Sequence, residues 1–260
     1  MLPINPVLLA FASPLTRYGV PVPLGSSFTG PRLLMPLDPG VPLRIMPLGA
    51  SITYGWQSST GDGYRGPLRN MLTAAGSTVN MVGSREHGTM VDNDVEGWPG
   101  FVIDQVAAKA NLSVPTWRPN VVLVNAGTND CLQNRDVAHG GERMERLVRS
   151  LWRMSPRALV VLSSLIVNSN PAAEQNVLAM NSQFRDLAGK LRAEGLPIVF
   201  ADMHSEVGPV KEDLKDGTHP DDAGYQKLAN IWYAAMVEAE NKRMYKAPEP
   251  IKCLPDDGGS

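Results

Sequence analysis

The segment that organises this chain runs from Arg44 to Gly55 and has the sequence RIMPLGASITYG. Its first half is a short apolar run that ends at Gly49, and Ser51 follows two residues later, before a helix-compatible segment. This order is typical of a buried strand that presents a side chain at its carboxyl end. In open α/β sheets, ligands bind in the crevice outside the carboxyl ends of the strands. Ser51 is therefore a candidate functional residue, although most serines are surface hydroxyls or helix caps.

The same strand-then-helix pattern recurs along the chain. Short apolar runs that fit strands covered on both faces lie at 43–48, 78–83, 120–125, 158–165 and 196–202. Segments with apolar residues at helical spacing lie between and after them, at 63–75, 100–110, 141–154, 173–194 and 221–240. Strands that alternate with helices form parallel sheets covered by helices on both faces. We predict an α/β fold, a three-layer α/β/α sandwich with a five-stranded parallel sheet.

The two ends of the chain differ in composition from its centre. Residues 1–42 hold nine prolines and no hydrophobic period, which predicts an extended N-terminal arm. Residues 43–245 carry the alternating pattern and are predicted to form a single domain. Residues 246–260 are rich in proline and glycine and are predicted to form a C-terminal tail along the surface.

Composition excludes several classes of function. The chain is 43% hydrophobic and 19% charged, with a net charge of −2 and no block of like charge. Nucleic acids and membrane surfaces both attract basic patches, so neither is an expected partner. No apolar run approaches the ~20 residues of a membrane-spanning helix. The first residues have an apolar centre but no basic segment before it, and prolines interrupt them, so they match a secretory signal peptide poorly.

Residues suited to acyl transfer follow several of the predicted elements. Ser51 would be the nucleophile, and His219 would be the general base that takes its proton. Asp216, three residues before His219, would fix the histidine tautomer and stabilise its cation. The backbone N–H groups of Ser51 and Gly97 and the side-chain amide of Asn129 would form an oxyanion hole. The serine does not lie in a G-x-S-x-G motif, which argues against an α/β-hydrolase nucleophile elbow.

Four blocks, in order, resemble the motif blocks of the GDSL-type esterases, also called SGNH hydrolases: GASITYG, EGWPG, NAGTND and DGTHPDDAGY. They cover the chain from residue 43 to about residue 240, and DNDVEGWPG and GTHPDDAGY most resemble the acetyl-xylan-esterase-like branch. The resemblance implies a flavodoxin-like fold and ester hydrolysis without a metal or cofactor. It also implies that Ser51, Gly97, Asn129 and His219 are the signature residues and that Asp216 is the acid of the triad.

The expected function is that of a serine esterase that removes small acyl groups, acetyl above all, from a carbohydrate. The expected partner is a small-molecule or polysaccharide ester, the expected state is a monomer, and the expected location is extracellular, with a cytoplasmic location as the alternative. A lipase- or thioesterase-like acyl hydrolase is the alternative within the enzyme class. A flavin- or phosphate-binding module is disfavoured because no G-x-x-x-x-G-K-[ST] motif is present.

One residue departs from the family pattern. The first block usually contains GDS, and here Ala50 stands where the family has an aspartate. That aspartate supports the loop and is not the nucleophile, so Asp94 or Asp130 could supply the local hydrogen bonding instead. The departure also keeps open a catalytically weak carbohydrate-binding protein on the same fold.

The cysteines allow two interpretations. Cys131 and Cys253 are too few for a disulfide framework or a zinc site. They are either two buried thiols or one disulfide that ties the tail to the loop after Asn129, which would indicate an oxidising compartment.

Other polar and aromatic residues carry weaker signals. The remaining histidines are interpreted as surface or capping residues without partners at diagnostic spacing: His87, His139 and His204. The acidic run Asp92-Asn93-Asp94 is interpreted as a solvated loop rather than a metal site. Trp56 and Trp98 flank the candidate site in sequence, and either one could stack on a sugar ring or pack against the protein.

Overall fold

A seven-stranded sheet forms the centre of the computed structural model, which describes residues 40–251. The strands are β1 (Leu43–Gly49), β2 (Val79–Met81), β3 (Arg85–Glu86), β4 (Asp94–Gly97), β5 (Val121–Asn125), β6 (Leu159–Ser163) and β7 (Ile198–Ala201). Their order is β3-β4-β1-β5-β6-β7, and β2 also pairs with β1. All pairings are parallel except β3 with β4.

The prediction of a parallel sheet is confirmed, but five strands is too few. The structure adds β3 and β4, and β4 pairs in parallel with the end of β1. Both strands are short, at two and four residues, and polar residues are prominent in them. A search for apolar runs therefore passes over them, because β4 is held by backbone pairing to β1 rather than by its own hydrophobicity. Gly97 consequently ends a strand instead of lying in a free turn.

Within residues 40–251, seven helices surround the sheet. They are α1 (Ser51–Tyr54), α2 (Arg65–Ala74), α3 (Ile103–Trp117), α4 (Thr128–Leu132), α5 (Gly140–Met154), α6 (Pro171–Ala193) and α7 (Asp222–Asn241), with short 3-10 turns at Val137–His139 and Lys211–Asp213. Helix α3 begins later and ends later than predicted. The Gln105 side chain accepts a hydrogen bond from the Val102 N–H at 3.1 Å, which caps the helix three residues past the predicted start. None of the helices within 40–251 combines the length and apolarity that crossing a bilayer requires.

Alternation along the strands produces two cores, one on each face of the sheet. In β1, Leu43 and Ile45 pack with α2 and α7, while Met46 and Leu48 pack with α3, α5 and α6. This is the period of two expected when both faces of a strand are buried. The cores make the sheet a rigid platform, and its strands deliver the loops that follow β1, β4, β5 and β7 to one edge.

The described part of the tail lies against the domain. The Asn120 side chain donates to the Lys246 carbonyl at 2.8 Å, and Arg44 donates to the Glu249 carbonyl at 2.9 Å. Residues 1–39 and 252–260 lie outside the described residues, so the N-terminal arm and the domain boundaries at 42 and 245 stay predictions.

Candidate active site

The turn that carries Ser51 is built where β1 ends. Gly49 closes the strand, Ala50 follows in an extended conformation (φ −110°, ψ −138°), and Ser51 opens α1. Gly49 has no room for a side chain, because an added Cβ would lie 2.1 Å from the Asn125 carbonyl oxygen. The chain can therefore turn tightly over β5 and bring Ser51 to the sheet edge with 9% of its surface exposed.

A hydrogen-bonded chain joins three of the predicted residues. The Nε2 atom of His219 lies 2.8 Å from Ser51 Oγ, and its Nδ1 atom lies 2.7 Å from Asp216 Oδ2. An ionised carboxylate can only accept, so Nδ1 carries the proton that it donates to Asp216. Nε2 is then free to accept the Ser51 hydroxyl proton. This is the arrangement in which a neutral imidazole acts as a general base.

The Asp216 carboxylate is held by its own loop. Its Oδ1 accepts backbone N–H groups of Thr218 at 3.1 Å and His219 at 2.8 Å. Burial raises the pKa of Asp216, but the hydrogen bonds from the His219 backbone and ring, with that from Thr218, outweigh burial and leave the pKa below its usual range. The Gln57 side chain adds a longer contact to Oδ2 at 3.4 Å. Asp216 is therefore ionised and oriented toward His219 at neutral pH.

The predicted oxyanion residues lie on the neighbouring strand ends. Gly97 pairs with Gly49 in the sheet, and an added Cβ on Gly97 would lie 2.7 Å from the Tyr54 nitrogen, so the backbones pack directly. Asn129 lies in α4, after β5, and its side-chain amide donates to the Phe101 carbonyl at 2.9 Å. A primary amide carries two hydrogens, so that bond fixes the amide and leaves a second donor.

Relatives of this chain support the geometric argument. Residues 48–227, well over half of the 260-residue chain, match the model of the GDSL-like Lipase/Acylhydrolase family. The chain belongs to this family. The match includes all five predicted site residues, which the structure gathers at one edge of the sheet.

Two curated relatives and two solved structures are similar to this family member. A multidomain esterase of Ruminococcus flavefaciens is 27% identical over 219 residues, which are 73% of this chain and 28% of the relative. A putative endoglucanase X of Acetivibrio thermocellus is 25% identical over 137 residues, which are 52% of this chain and 58% of the relative. This chain thus spans between about a quarter and three fifths of the curated relatives it matches.

The alignments with two solved structures cover almost the whole length of those structures. A family 3 carbohydrate esterase of Clostridium thermocellum superimposes with a TM-score of 0.69 at 27% identity, over 78% of this chain and 98% of the other. A family 3 carbohydrate esterase from Talaromyces cellulolyticus gives a TM-score of 0.67 at 22% identity, over 77% and 99%. The second likeness shows the fold alone, and both agree with an α/β/α fold for this family member.

Asp130 does not supply the hydrogen bonding of the family aspartate that Ala50 replaces. The Asp130 carboxylate is fully buried, accepts the Ile103 N–H at 3.1 Å, and forms an ion pair with Arg143. These contacts tie α4 to the start of α3 and to α5, so Asp130 supports the loop of Asn129 rather than the turn of Ser51. Ala50 itself is 5% exposed and provides no side-chain cap to α1.

Two arginines that sequence reasoning missed hold the site loops together. Arg65 is fully buried, and its guanidinium donates to backbone carbonyls that include Tyr54 at 3.2 Å and His87 at 2.7 Å. Arg85 donates to the Gly97 carbonyl at 2.8 Å, with its guanidinium 4.5 Å from the centre of the Tyr54 ring. Both bind backbone carbonyls, which carry no sequence signal, so only the folded chain identifies their role.

Two of the remaining histidines have acidic partners, which corrects the sequence interpretation. His139 Nδ1 lies 2.6 Å from Asp136, which precedes it by three residues, the same spacing as Asp216 and His219. His204 lies 2.8 Å from Glu174 in α6. The solvated-loop interpretation of the acidic run is also wrong, because Asp92 and Asp94 are only 6% and 5% exposed. Within residues 40–251, no group of three or more His, Cys, Asp or Glu side chains could hold a metal ion.

Cys131 is a free thiol in α4, buried in the core at 1% exposure. Burial raises the pKa of its thiol to about 12, so it is neutral and unreactive at physiological pH. Cys253, the other residue of the disulfide interpretation, lies outside the described residues.

Proposed function

We propose that this chain is a serine esterase that hydrolyses small acyl esters, acetyl esters above all, carried by a carbohydrate. The observation that carries the proposal is the continuous hydrogen-bonded chain from Asp216 through His219 to Ser51, with links of 2.7 and 2.8 Å. A serine with a positioned base and a charged orienting group is the arrangement that nucleophilic acyl transfer requires.

In the acylation step, Ser51 Oγ attacks the ester carbonyl carbon while His219 Nε2 takes the serine proton. The imidazolium that forms is stabilised by Asp216, whose lowered pKa keeps the carboxylate ionised. The tetrahedral intermediate then collapses, its bond to the alkoxy oxygen breaks, and His219 returns the proton to the departing alcohol. The product of this step is an acyl ester on Ser51 and a free sugar hydroxyl.

In the deacylation step, water takes the place of the alcohol. His219 Nε2 removes a proton from the water as it attacks the acyl carbon, and a second tetrahedral intermediate forms. Its collapse releases the carboxylic acid and returns the proton to Ser51 Oγ. The same base therefore acts twice, and the enzyme ends as it began.

Negative charge that develops on the carbonyl oxygen needs donors that are already in place. We assign this role to the backbone N–H groups of Ser51 and Gly97 and to the second amide hydrogen of Asn129. The Phe101 carbonyl fixes the Asn129 amide, and Arg85 fixes the carbonyl of Gly97. Donors held in this way need no reorganisation during the reaction, and each one typically lowers the barrier by ~3–4 kcal/mol.

The carbohydrate part of the proposal draws on relatives. The Clostridium thermocellum structure at 27% identity is a family 3 carbohydrate esterase, and the Ruminococcus flavefaciens relative is a multidomain esterase. The acetyl preference draws on the resemblance of the motif blocks to acetyl-xylan-esterase-like sequences. An extracellular location, where plant polysaccharide is found, fits this substrate, and the monomeric state stays a prediction.

The test compares the wild-type chain with a Ser51→Ala control. We expect wild-type protein to hydrolyse p-nitrophenyl acetate and to release acetate from acetylated xylan, and we expect the control to do neither. Esters of graded acyl length then separate an acetylesterase, whose rate falls steeply beyond short chains, from a lipase- or thioesterase-like enzyme. Hydrolysis by wild-type protein no faster than by the control would refute the esterase proposal.

A further inference from the structure

A groove of about 600 Å³ in the described part of the chain is lined by none of the three residues Ser51, Asp216 and His219. Its walls are the loop 58–63, the first half of α2, Met90 with Val91, and the first turn of α7. This volume is in the range of small-molecule binding sites, ~300–1,000 Å³. Nothing in the mechanism above uses the groove.

The groove begins next to the catalytic residues on both sides. On one side, Gln57 contacts Asp216 at 3.4 Å, and the next residue, Ser58, lines the groove. On the other side, Asp222, which also lines the groove, follows His219 by three residues in the chain. A ligand that fills the groove would therefore extend toward Ser51 and His219.

Trp56 lies between Ser51 and the groove-lining Ser58 in the chain, and its backbone is held from both sides. Its backbone N–H donates to the Ser51 carbonyl at 3.0 Å, and its own carbonyl accepts the hydroxyl of Tyr225, a residue of the groove wall, at 2.6 Å. The side chain is nevertheless 47% exposed, in a protein whose other described site tryptophan, Trp98, packs between Arg85 and Lys109. These bonds hold the backbone of Trp56, and its exposed indole has only two rotatable side-chain bonds, so it offers a flat apolar surface at low entropic cost.

The charges that line the groove are already engaged. Asp62 accepts backbone N–H groups of Thr89 at 2.6 Å and Met90 at 2.9 Å, and Asp222 accepts that of Ser59 at 2.8 Å. Arg69 is paired with Asp92 at 2.9 Å. An anionic ligand would meet two carboxylates here and no unpaired lining cation within the described residues.

Neutral hydrogen-bonding groups remain available along the walls. The Ser58 and Thr60 hydroxyls accept backbone N–H groups at 3.1 and 3.2 Å, which leaves each hydroxyl proton free to donate. The exposed helix side chains Asn70 and Gln226 add amides, and the Gln226 amide, which donates one hydrogen to Asn230 at 3.0 Å, keeps a second hydrogen and its oxygen. Hydroxyls and amides beside apolar surface match a ligand with many hydroxyl groups and apolar C–H faces.

We propose that this groove and Trp56 form a binding subsite for neutral oligosaccharide, so that the preferred substrate is an acetylated sugar chain rather than an acetylated monosaccharide. A sugar ring stacks on Trp56, and the following residues of the chain lie in the groove. The inference rests on the proposed function for its catalytic consequence, but binding to the groove can be measured without catalysis.

The binding test uses the Ser51→Ala protein and unsubstituted xylotetraose, followed by calorimetric titration. We expect saturable binding that weakens at least about tenfold when Trp56→Ala is added, and that Trp56→Phe largely restores. The Asn70→Ala, Gln226→Ala pair should also weaken it, and both positions are exposed helix sites where alanine is tolerated. The matched control is Leu112→Ala, which removes a side chain 72% exposed on α3, in the layer opposite the groove.

The kinetic test compares acetylated xylo-oligosaccharide with p-nitrophenyl acetate. In Trp56→Ala, we expect kcat/KM for the oligosaccharide, divided by kcat/KM for p-nitrophenyl acetate, to fall about tenfold. In Leu112→Ala, we expect this ratio not to change. Tight binding of oligogalacturonate instead of xylotetraose, or xylotetraose binding that Trp56→Ala leaves intact, would overturn the subsite. Protein that hydrolyses no ester but binds xylotetraose through Trp56 would overturn the esterase proposal and leave the subsite standing. Active protein that binds no oligosaccharide would do the reverse.

Discussion

Two Asp-x-x-His turns in this chain have the same sequence spacing and different surroundings. Asp216 and His219 lie 2.7 Å apart, and Asp136 and His139 lie 2.6 Å apart, each through Nδ1 of the ring. The local backbone alone brings an aspartate and a histidine together at this spacing. The pair as such therefore says little about catalysis.

The difference is what the outer ring nitrogen meets. His219 is 18% exposed and its Nε2 reaches Ser51 at 2.8 Å, whereas the His139 side chain is 59% exposed on the surface before α5. The His219 turn follows the last sheet strand and folds back over the end of β1. What would make His219 a general base is therefore its contact with Ser51, a residue that lies far away in sequence.

The test with the largest expected effect replaces each of the two histidines by alanine in turn. We expect His219→Ala to lower kcat for p-nitrophenyl acetate by about 10⁵–10⁶-fold, because Ser51 loses its base. His139→Ala should change kcat by no more than about a factor of two, since His139 contacts no predicted site residue. Equal losses in both variants, with both proteins folded by circular dichroism, would contradict the assignment of the base.

The second test replaces each of the two aspartates by asparagine in turn. Asp216→Asn should lower kcat by ~10⁴-fold, because the amide no longer selects the productive tautomer or stabilises the imidazolium. Asp136→Asn should have no comparable effect on kcat. If Asp216→Asn retained most of its activity, the site would operate as a Ser–His dyad, and the two aspartates would be equivalent.

The third test concerns the side-chain amide of Asn129, a hydrogen-bond donor that we assign to the site of Ser51 and His219 rather than to the surroundings of His139. Removing the side-chain amide with Asn129→Ala should lower kcat by about 10²–10³-fold with little change in KM, because the bond forms chiefly in the transition state. The matched control is Asn134→Ala, a turn residue with a positive φ of 48° whose side chain contacts Asn176. A rise in KM without a fall in kcat would assign Asn129 to substrate binding instead.

The smallest expected effect is a shift in the pKa of His139 when its surface partner Asp136 is replaced. The hydrogen bond to Asp136, followed by its charge, raises the pKa of His139 above the ordinary value. Because the folded-state pKa is the higher one, the pair contributes its stability below the ordinary histidine pKa of about 6.5 and loses it as pH rises through the raised value. In Asp136→Asn, nuclear magnetic resonance should show the His139 pKa moving down toward the ordinary value. An unchanged value would mean that the pair does not persist in solution.

Much of the fold was accessible from local pattern. The runs at 43–48, 120–125 and 158–165 correspond closely to β1, β5 and β6, because strands covered on both faces must be apolar throughout. The pattern missed β3 and β4, whose pairing is made by backbone groups. It also missed the buried Arg65, because its partners are carbonyls of residues up to 28 positions away.

Local sequence pattern is sufficient to predict the alternation of strands and helices and to place the four motif blocks in order. It also brought Asp216 and His219 together, since three residues of turn suffice for that contact. Which of the two Asp-x-x-His turns meets a serine depends on tertiary packing, because Ser51 and His219 are 168 residues apart and the path of the whole sheet brings them together. Tertiary packing also leaves the indole of Trp56 exposed, although the backbone of this residue is hydrogen-bonded to the Ser51 carbonyl. Contacts of this kind depend on how separate elements pack, and no local pattern encodes them.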